Sequence, residues 1–467
     1  MTEALAPDPA AGPAEARVPL AVYAMLAYLA AITIFGKGPT YLPHPPVYWG
    51  ELTLLAMLAW MYADAYRNGM PRELRLPLGM AVVLFMLVGA AYTLVAVPRW
   101  GMDAVRDAAI WYYAIFFFLG AYVAGKPPVA DWLWRKLGWV WFFSLVWNLT
   151  VWATGSWPVH ASPIVPWRGV HVLYGSGSEN RMHMSLAAAL LVLGWPRLRE
   201  NIPRKVFVIL ASCAAAAGLF VSSGRGVKVA ILAALAAGLL ATLGSRQRVW
   251  PTGRIALVSF LLVLGLAVAA IAAGPAGIKR AGRIERFEDV RHAAYQGTTH
   301  WRLTWWTAII KKVHEENPAF GLGFGYNLGR LNCYLGMNWR RRWAIRSPHN
   351  YNMSVFGHMG YFGLCLWLLL LFYGLLQLFI RIRRGGRGGR RYTLDRRKEL
   401  TFWLIMLVAT WINSSFGVLM EGPVLGVWFW FALGFATRRS SGPDGFEPVP
   451  ESEAAQLRLR TENRTSG

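Results

Sequence analysis

Apolar runs of the length that crosses a bilayer recur about twelve times along this chain, and no other feature limits its fold so tightly. A crossing helix needs roughly 17 to 25 largely apolar residues, because each residue advances it only about 1.5 Å and every backbone polar group must be satisfied within the helix. Such runs, the sixth and last of them short, occupy 18–35, 48–65, 76–97, 104–124, 132–153, 183–195, 206–222, 227–243, 255–273, 353–380, 400–419 and 423–436. The expected fold is an all-α integral membrane protein of about 12 transmembrane helices.

Charge sets the orientation. The chain carries 48 Lys+Arg against 24 Asp+Glu, a formal charge of +24, although 55% of its residues are hydrophobic. Cations held back from lipid must gather in loops, at helix ends or on a surface for anions. With the N-terminus inside, the connections holding Arg67, Arg72 and Arg75, then Lys126, Arg135 and Lys136, then Arg197, Arg199, Arg204 and Lys205, then Arg246, Arg248 and Arg254 all face the cytoplasm. The arginine-rich stretch 381–398 and Arg438 and Arg439 agree with that assignment, so both termini are expected inside. Residues 1–17 and 438–467 read as flexible cytosolic tails around two helical blocks, 18–273 and 353–437.

Between those blocks, 274–352 is then a single large outer loop, partly helical and strongly basic. A long loop translocates whatever its charge, so this excess carries no message by itself. The alternative is an anionic ligand held outside. Cys213, Cys333 and Cys365 imply no disulfide framework, and the loop has no His or carboxylate cluster at metal-ligand spacing. Ionisable residues such as Glu51, Asp103, Asp107, Lys228 and Glu421 fall near helix ends rather than at mid-span, which argues against a proton-coupled transporter.

Three short constellations fall on that outer face. In Ser222-Ser223-Gly224-Arg225-Gly226, the serines are cap candidates, Gly224 and Gly226 admit close backbone approach, and Arg225 stands at a helix start suited to anions; a tight hairpin with a snorkelling arginine fits equally. The second is Arg302, in an amphipathic segment with Trp301, Trp305 and Trp306. With Thr299 as cap, a first-turn cation opposes the helix dipole unless a bound anion offsets it, and an interfacial helix is the bland alternative. The third is Ser347-Pro348-His349-Asn350, with Ser347 as N-cap and Pro348 at the first helical position. That places His349 in an opening turn, where a neutral imidazole can accept a proton, although a lone interfacial histidine is commonly structural. The glycines of 317–327 suggest a strained turn lining the site.

Taken together, Ser223-Gly224-Arg225-Gly226, Arg302 with its tryptophans, Asn317-Pro318-x-x-Gly321-x-Gly323, and His349-Asn350 running on to Gly357-His358-Met359-Gly360 resemble the bacterial O-antigen ligase family within the O-antigen ligase/polymerase superfamily. The resemblance implies a GT-C-like fold and an inner-membrane glycosyltransferase with a periplasmic active site and no cofactor. The implied reaction moves O-antigen polysaccharide from undecaprenyl pyrophosphate onto the lipid A-core oligosaccharide, with inversion and without a metal. In it Arg225 and Arg302 hold the donor pyrophosphate, His349 is the general base, and Gly224, Gly226, Asn350 and Trp306 line the site. Arg340, Arg341 and Arg342 are surplus cations that would grip the phosphorylated acceptor or, equally, form a solvated basic rim. An O-antigen polymerase or a protein O-oligosaccharyltransferase would use the same lipid-linked donor. A lipid-linked oligosaccharide flippase belongs to another class and would need a polar path through the bundle.

Overall fold

A computed structural model describes residues 18–44, 47–70, 76–154, 157–166, 170–173, 178–193, 225–243, 297–332, 346–384, 390–437 and 446–448. The described chain is mainly helical: α1 Leu20–Phe35, α2 Trp49–Asn68, α3 Pro77–Trp100, α4 Met102–Ala124, α5 Pro127–Ala153, α6 Ser178–Val192, α7 Arg225–Thr242, α8 Gly297–Glu316, α9 Tyr351–Arg384, α10 Leu394–Ser414 and α11 Pro423–Phe435. Each apolar run that falls within the described residues is a helix; the runs at 206–222 and 255–273 lie outside them. Three helices, α3, α4 and the Tyr351–Arg383 part of α9, are long and apolar enough to cross a membrane, while α1, α11 and Gly226–Thr242 are shorter apolar helices. Leu87 and Leu94 of α3 and Leu369 of α9 are 63%, 74% and 70% exposed. A surface paved with such side chains suits lipid rather than water, and the chain is a helical membrane protein.

Small residues let the helices approach. Where α4 crosses α11, a Cβ on Gly120 would stand 2.3 Å from the Phe431 carbonyl oxygen, and one on Gly434 would stand 2.0 Å from that of Phe117. No larger residue fits on either side, so backbone meets backbone, the close packing that replaces the hydrophobic drive between helices in lipid. Trp141, Trp403 and Trp428 fill the adjoining core.

The long helix α9 is broken at Gly360, whose φ of 61° and ψ of −159° belong to no helix. The break frees backbone groups in a region that lacks water to satisfy them. Segment 317–323 satisfies them reciprocally. Leu322 and Gly323 donate N–H to the carbonyls of Gly357 and His358 at 2.9 and 3.1 Å, while Tyr361 and Phe362 donate to those of Pro318 and Ala319 at 2.9 and 3.0 Å. Gly321 and Gly323 take φ of 76° and 80° to make the turn. Strained glycines are therefore present as expected, but they brace the broken helix and line no part of the cavity described below, which corrects the reading from sequence.

Candidate functional site

The corner at 346–350, just ahead of α9, differs from its sequence reading. Asn350, not Ser347, caps the helix: its Oδ1 accepts the N–H groups of Asn352 and Met353 at 3.0 and 3.3 Å. Ser347 turns away, donating its hydroxyl to Glu421 Oε1 at 3.0 Å, and the helix starts only at Tyr351. His349 consequently lies before the helix in the left-handed region, φ 58°, the one non-glycine residue with positive φ among the described residues. Such a conformation costs on the order of 1–3 kcal/mol and persists only where the surroundings impose it.

The surroundings grip this corner from three directions. Arg346 reaches the start of α4, with Nη2 2.7 Å from Asp107 Oδ2 and Nη1 3.1 Å from Asp103 Oδ2, and it also donates to the Gly325 carbonyl at 3.1 Å. Gly325 N–H closes the knot on Asp107 at 2.9 Å. From α8, Trp306 Nε1 donates to the Pro348 carbonyl at 2.8 Å. Ser347 and Glu421 make the third tie, to the loop between α10 and α11. None of these partners is near in sequence, so the knot had no local signal. Asp103, Asp107 and Glu421 were visible only as acids near helix ends.

Helix α8 carries its arginine to the corner through tryptophans. Trp305, Ile309 and Val313 form a small core with Leu328 and Phe356. Trp305 Nε1 donates to the Leu328 carbonyl at 2.9 Å and Trp301 Nε1 to Asn332 Oδ1 at 2.7 Å, while the rings of Trp301 and Trp305 face His349 at 5.6 and 6.4 Å between centroids. The helix begins at Gly297, so Thr299 lies in its first turn and Arg302 in the second. The expected clash between Arg302 and the helix dipole is thus weaker than the sequence suggested, since that effect fades beyond the first turn.

Arg302 and His349 line one cavity of about 1620 Å³, together with Gly226, Phe416, Glu421, Arg106 and a group of tyrosines from α1, α4 and the segment between α1 and α2. Arg302 is half-buried, and its Nε has no hydrogen-bond partner among the described residues. A buried N–H of a charged group without an acceptor is costly, and an anionic ligand in the cavity would repay it. Burial also pulls the Arg302 pKa below its usual value.

His349 Nδ1 lies 3.1 Å from the Ser347 carbonyl, which can only accept, so Nδ1 carries the proton and Nε2 keeps its lone pair. Burial lowers the imidazole pKa; the bond to Ser347 opposes this, and the nearby positive charge of Arg302 assists it. The ring is therefore neutral near pH 7. Glu421 behaves in the opposite sense: burial lifts its carboxyl to about 7, against the hydrogen bonds from Ser354 and Ser347.

The remaining expected residues divide plainly. Gly226 lines the cavity, and a Cβ there would stand 2.8 Å from Phe416 Cβ. Asn350 and Trp306 do not line it; they hold the corner in place. Arg225 is the first residue of α7, but its side chain, like Gly224, Arg340, Arg341 and Arg342, lies outside the described residues.

No curated protein matches the chain. The family model described as O-antigen ligase matches residues 210–368, a stretch that contains Arg225, Arg302 and His349.

Proposed function

We propose that this protein ligates O-antigen polysaccharide from undecaprenyl pyrophosphate onto the lipid A-core oligosaccharide at the periplasmic face of the bacterial inner membrane. The observation that carries the reading is one cavity bordered by an arginine with an unsatisfied Nε and a neutral histidine with a free Nε2. The match of residues 210–368 to the O-antigen ligase family model supports transfer of a lipid-linked saccharide.

In this reading the donor diphosphate lies against Arg302, with Arg225 as the second guanidinium of the clamp. Each charge-assisted contact stabilises it by roughly 1.5–3 kcal/mol, and more as charge develops on the departing phosphate. The acceptor hydroxyl gives its proton to His349 Nε2 while its oxygen attacks the anomeric carbon. The bond from that carbon to the diphosphate oxygen breaks, and its electron pair leaves with undecaprenyl pyrophosphate. Direct displacement inverts the anomeric centre. The leaving diphosphate is a stabilised anion held by guanidinium charge, so the reaction needs neither an acid to protonate it nor a divalent metal. Arg340, Arg341 and Arg342 are assigned to a phosphorylated acceptor.

The test is reconstitution of the full chain with purified lipid-linked polymer and core glycolipid. The expected product is polymer-capped core of inverted linkage, formed equally with or without EDTA. Restoration of EDTA-lost activity by a divalent cation would overturn the metal-independent clamp. Extension of the lipid-linked polymer without capping of core would replace ligase with polymerase.

A further inference from the structure

Glu51, in the first turn of α2, also lines the cavity. It has neither hydrogen bond nor ion pair among the described residues, in a chain whose formal charge is +24. The phenols of Tyr28, Tyr112 and Tyr113 lie within its electrostatic reach, and the rings of Tyr112 and Tyr113 stand 4.2 Å apart between centroids. All three line the same cavity.

A carboxylate without an ion pair repels a diphosphate, so Glu51 does not itself serve the group that Arg302 attracts. Neutral polyols suit it instead: two hydroxyls on adjacent ring carbons can both donate to one carboxylate, while aromatic faces accept the apolar C–H face of a pyranose. Size points the same way. Pockets for one small ligand hold roughly 300–1,000 Å³, and this cavity of about 1620 Å³ has room for a second saccharide beside the donor headgroup.

We propose that Glu51, with the tyrosines around it, forms the subsite that holds the sugar of the incoming acceptor, separate from the diphosphate end at Arg302 and His349. The assignment deepens the transferase reading and rests on it. Glu51 orients the acceptor ring by its hydroxyls, so that a neighbouring hydroxyl meets His349.

The experiment uses the full chain in nanodiscs, with lipid-linked polymer and core glycolipid both taken from a strain lacking this gene, and varies each substrate in turn. Glu51→Gln keeps the shape of the side chain and removes its charge. The expected result is a rise of roughly tenfold or more in the KM for the acceptor, with kcat within about twofold and the donor KM unchanged. An unchanged acceptor KM, or an equal rise in the donor KM, overturns the subsite. Binding of core glycolipid to donor-free protein gives a readout independent of turnover and should weaken by the same factor in Glu51→Gln; unweakened binding also overturns it. Failure of the wild-type chain to form any glycosidic bond sinks the transferase reading instead, and is separate from either result.

Discussion

Where α4 crosses α11, Gly120 and Gly434 press backbone against backbone and the surrounding side chains are apolar and fully enclosed. At the 346–350 corner, one residue sits in a left-handed conformation, a nearby arginine Nε lacks an acceptor, and the fold supplies ion pairs and hydrogen bonds from α4, α8 and the α10–α11 loop to hold the arrangement. The first region is close-packed and apolar; the second stores strain at His349 and leaves the Arg302 Nε without an acceptor. The contrast separates scaffold from site: substitutions at the crossing should damage folding and activity together, while those inside the corner should damage activity alone.

The sharpest way to break that separation is His349→Ala. It should lower kcat by about 10²- to 10⁴-fold, the usual worth of a positioned base, with membrane insertion and detergent gel-filtration profile unchanged. Wild-type levels of polymer-capped lipopolysaccharide would remove His349 from the chemistry. Arg302→Ala comes next, and should weaken transfer by roughly 10- to 100-fold or more through loss of one charge-assisted contact. Thermal stability should hold or rise, because the unsatisfied Nε goes with the side chain; a clear loss of melting temperature would make Arg302 a structural residue.

At the crossing, Gly434→Val should destabilise the bundle by about 1–3 kcal/mol or prevent its assembly, as overpacking does. Its melting temperature and its yield of active protein should fall together; a stable variant with normal yield would dissolve the contrast. Asn350→Ala lies between the two regions, since it removes a cap worth about 0.5–2 kcal/mol from the helix that follows His349.

The smallest expected effect is a shift in pH profile. Because burial lowers the His349 pKa below 6.5, the acidic limb of kcat/KM should have its midpoint below 6.5, with full activity at neutral pH. Glu421 has the opposite sign. Its carboxyl is raised from 4.5 to about 7, so its contribution to stability is complete below pH 4.5 and is lost as pH rises through about 7. Melting temperatures of wild type and Glu421→Gln between pH 5 and 8 should therefore converge at the acidic end and separate at the alkaline end, with the variant the more stable.

Much of the bundle was legible in the sequence, because spanning lipid leaves few choices: a run of apolar residues must be a helix, and α1, α3, α7 and α11 each lie within three residues of the expected ends. Arg302 and His349 were legible as chemistry out of place, a cation in an amphipathic helix and a histidine beside a helix start. What local rules misjudged was the cap. Ser347-Pro348 has the spacing of a helix start, yet Ser347 is drawn to Glu421, 74 residues later, and Asn350 takes over as cap. The glycines of 317–325 were recognised as a turn, but not as the strap that completes the broken α9.

The sequence alone determined that the chain is a helical membrane protein with an excess of cations, since the length of an apolar run and the balance of charge act without reference to distant residues. Only the tertiary structure decided that Arg302, His349 and Glu51 share one cavity, and that Arg346 meets Asp107 across 239 residues. Whether an arginine is paired, an imidazole neutral or a carboxylate unaccompanied depends on which groups come within a few ångströms, and no spacing along the chain encodes that.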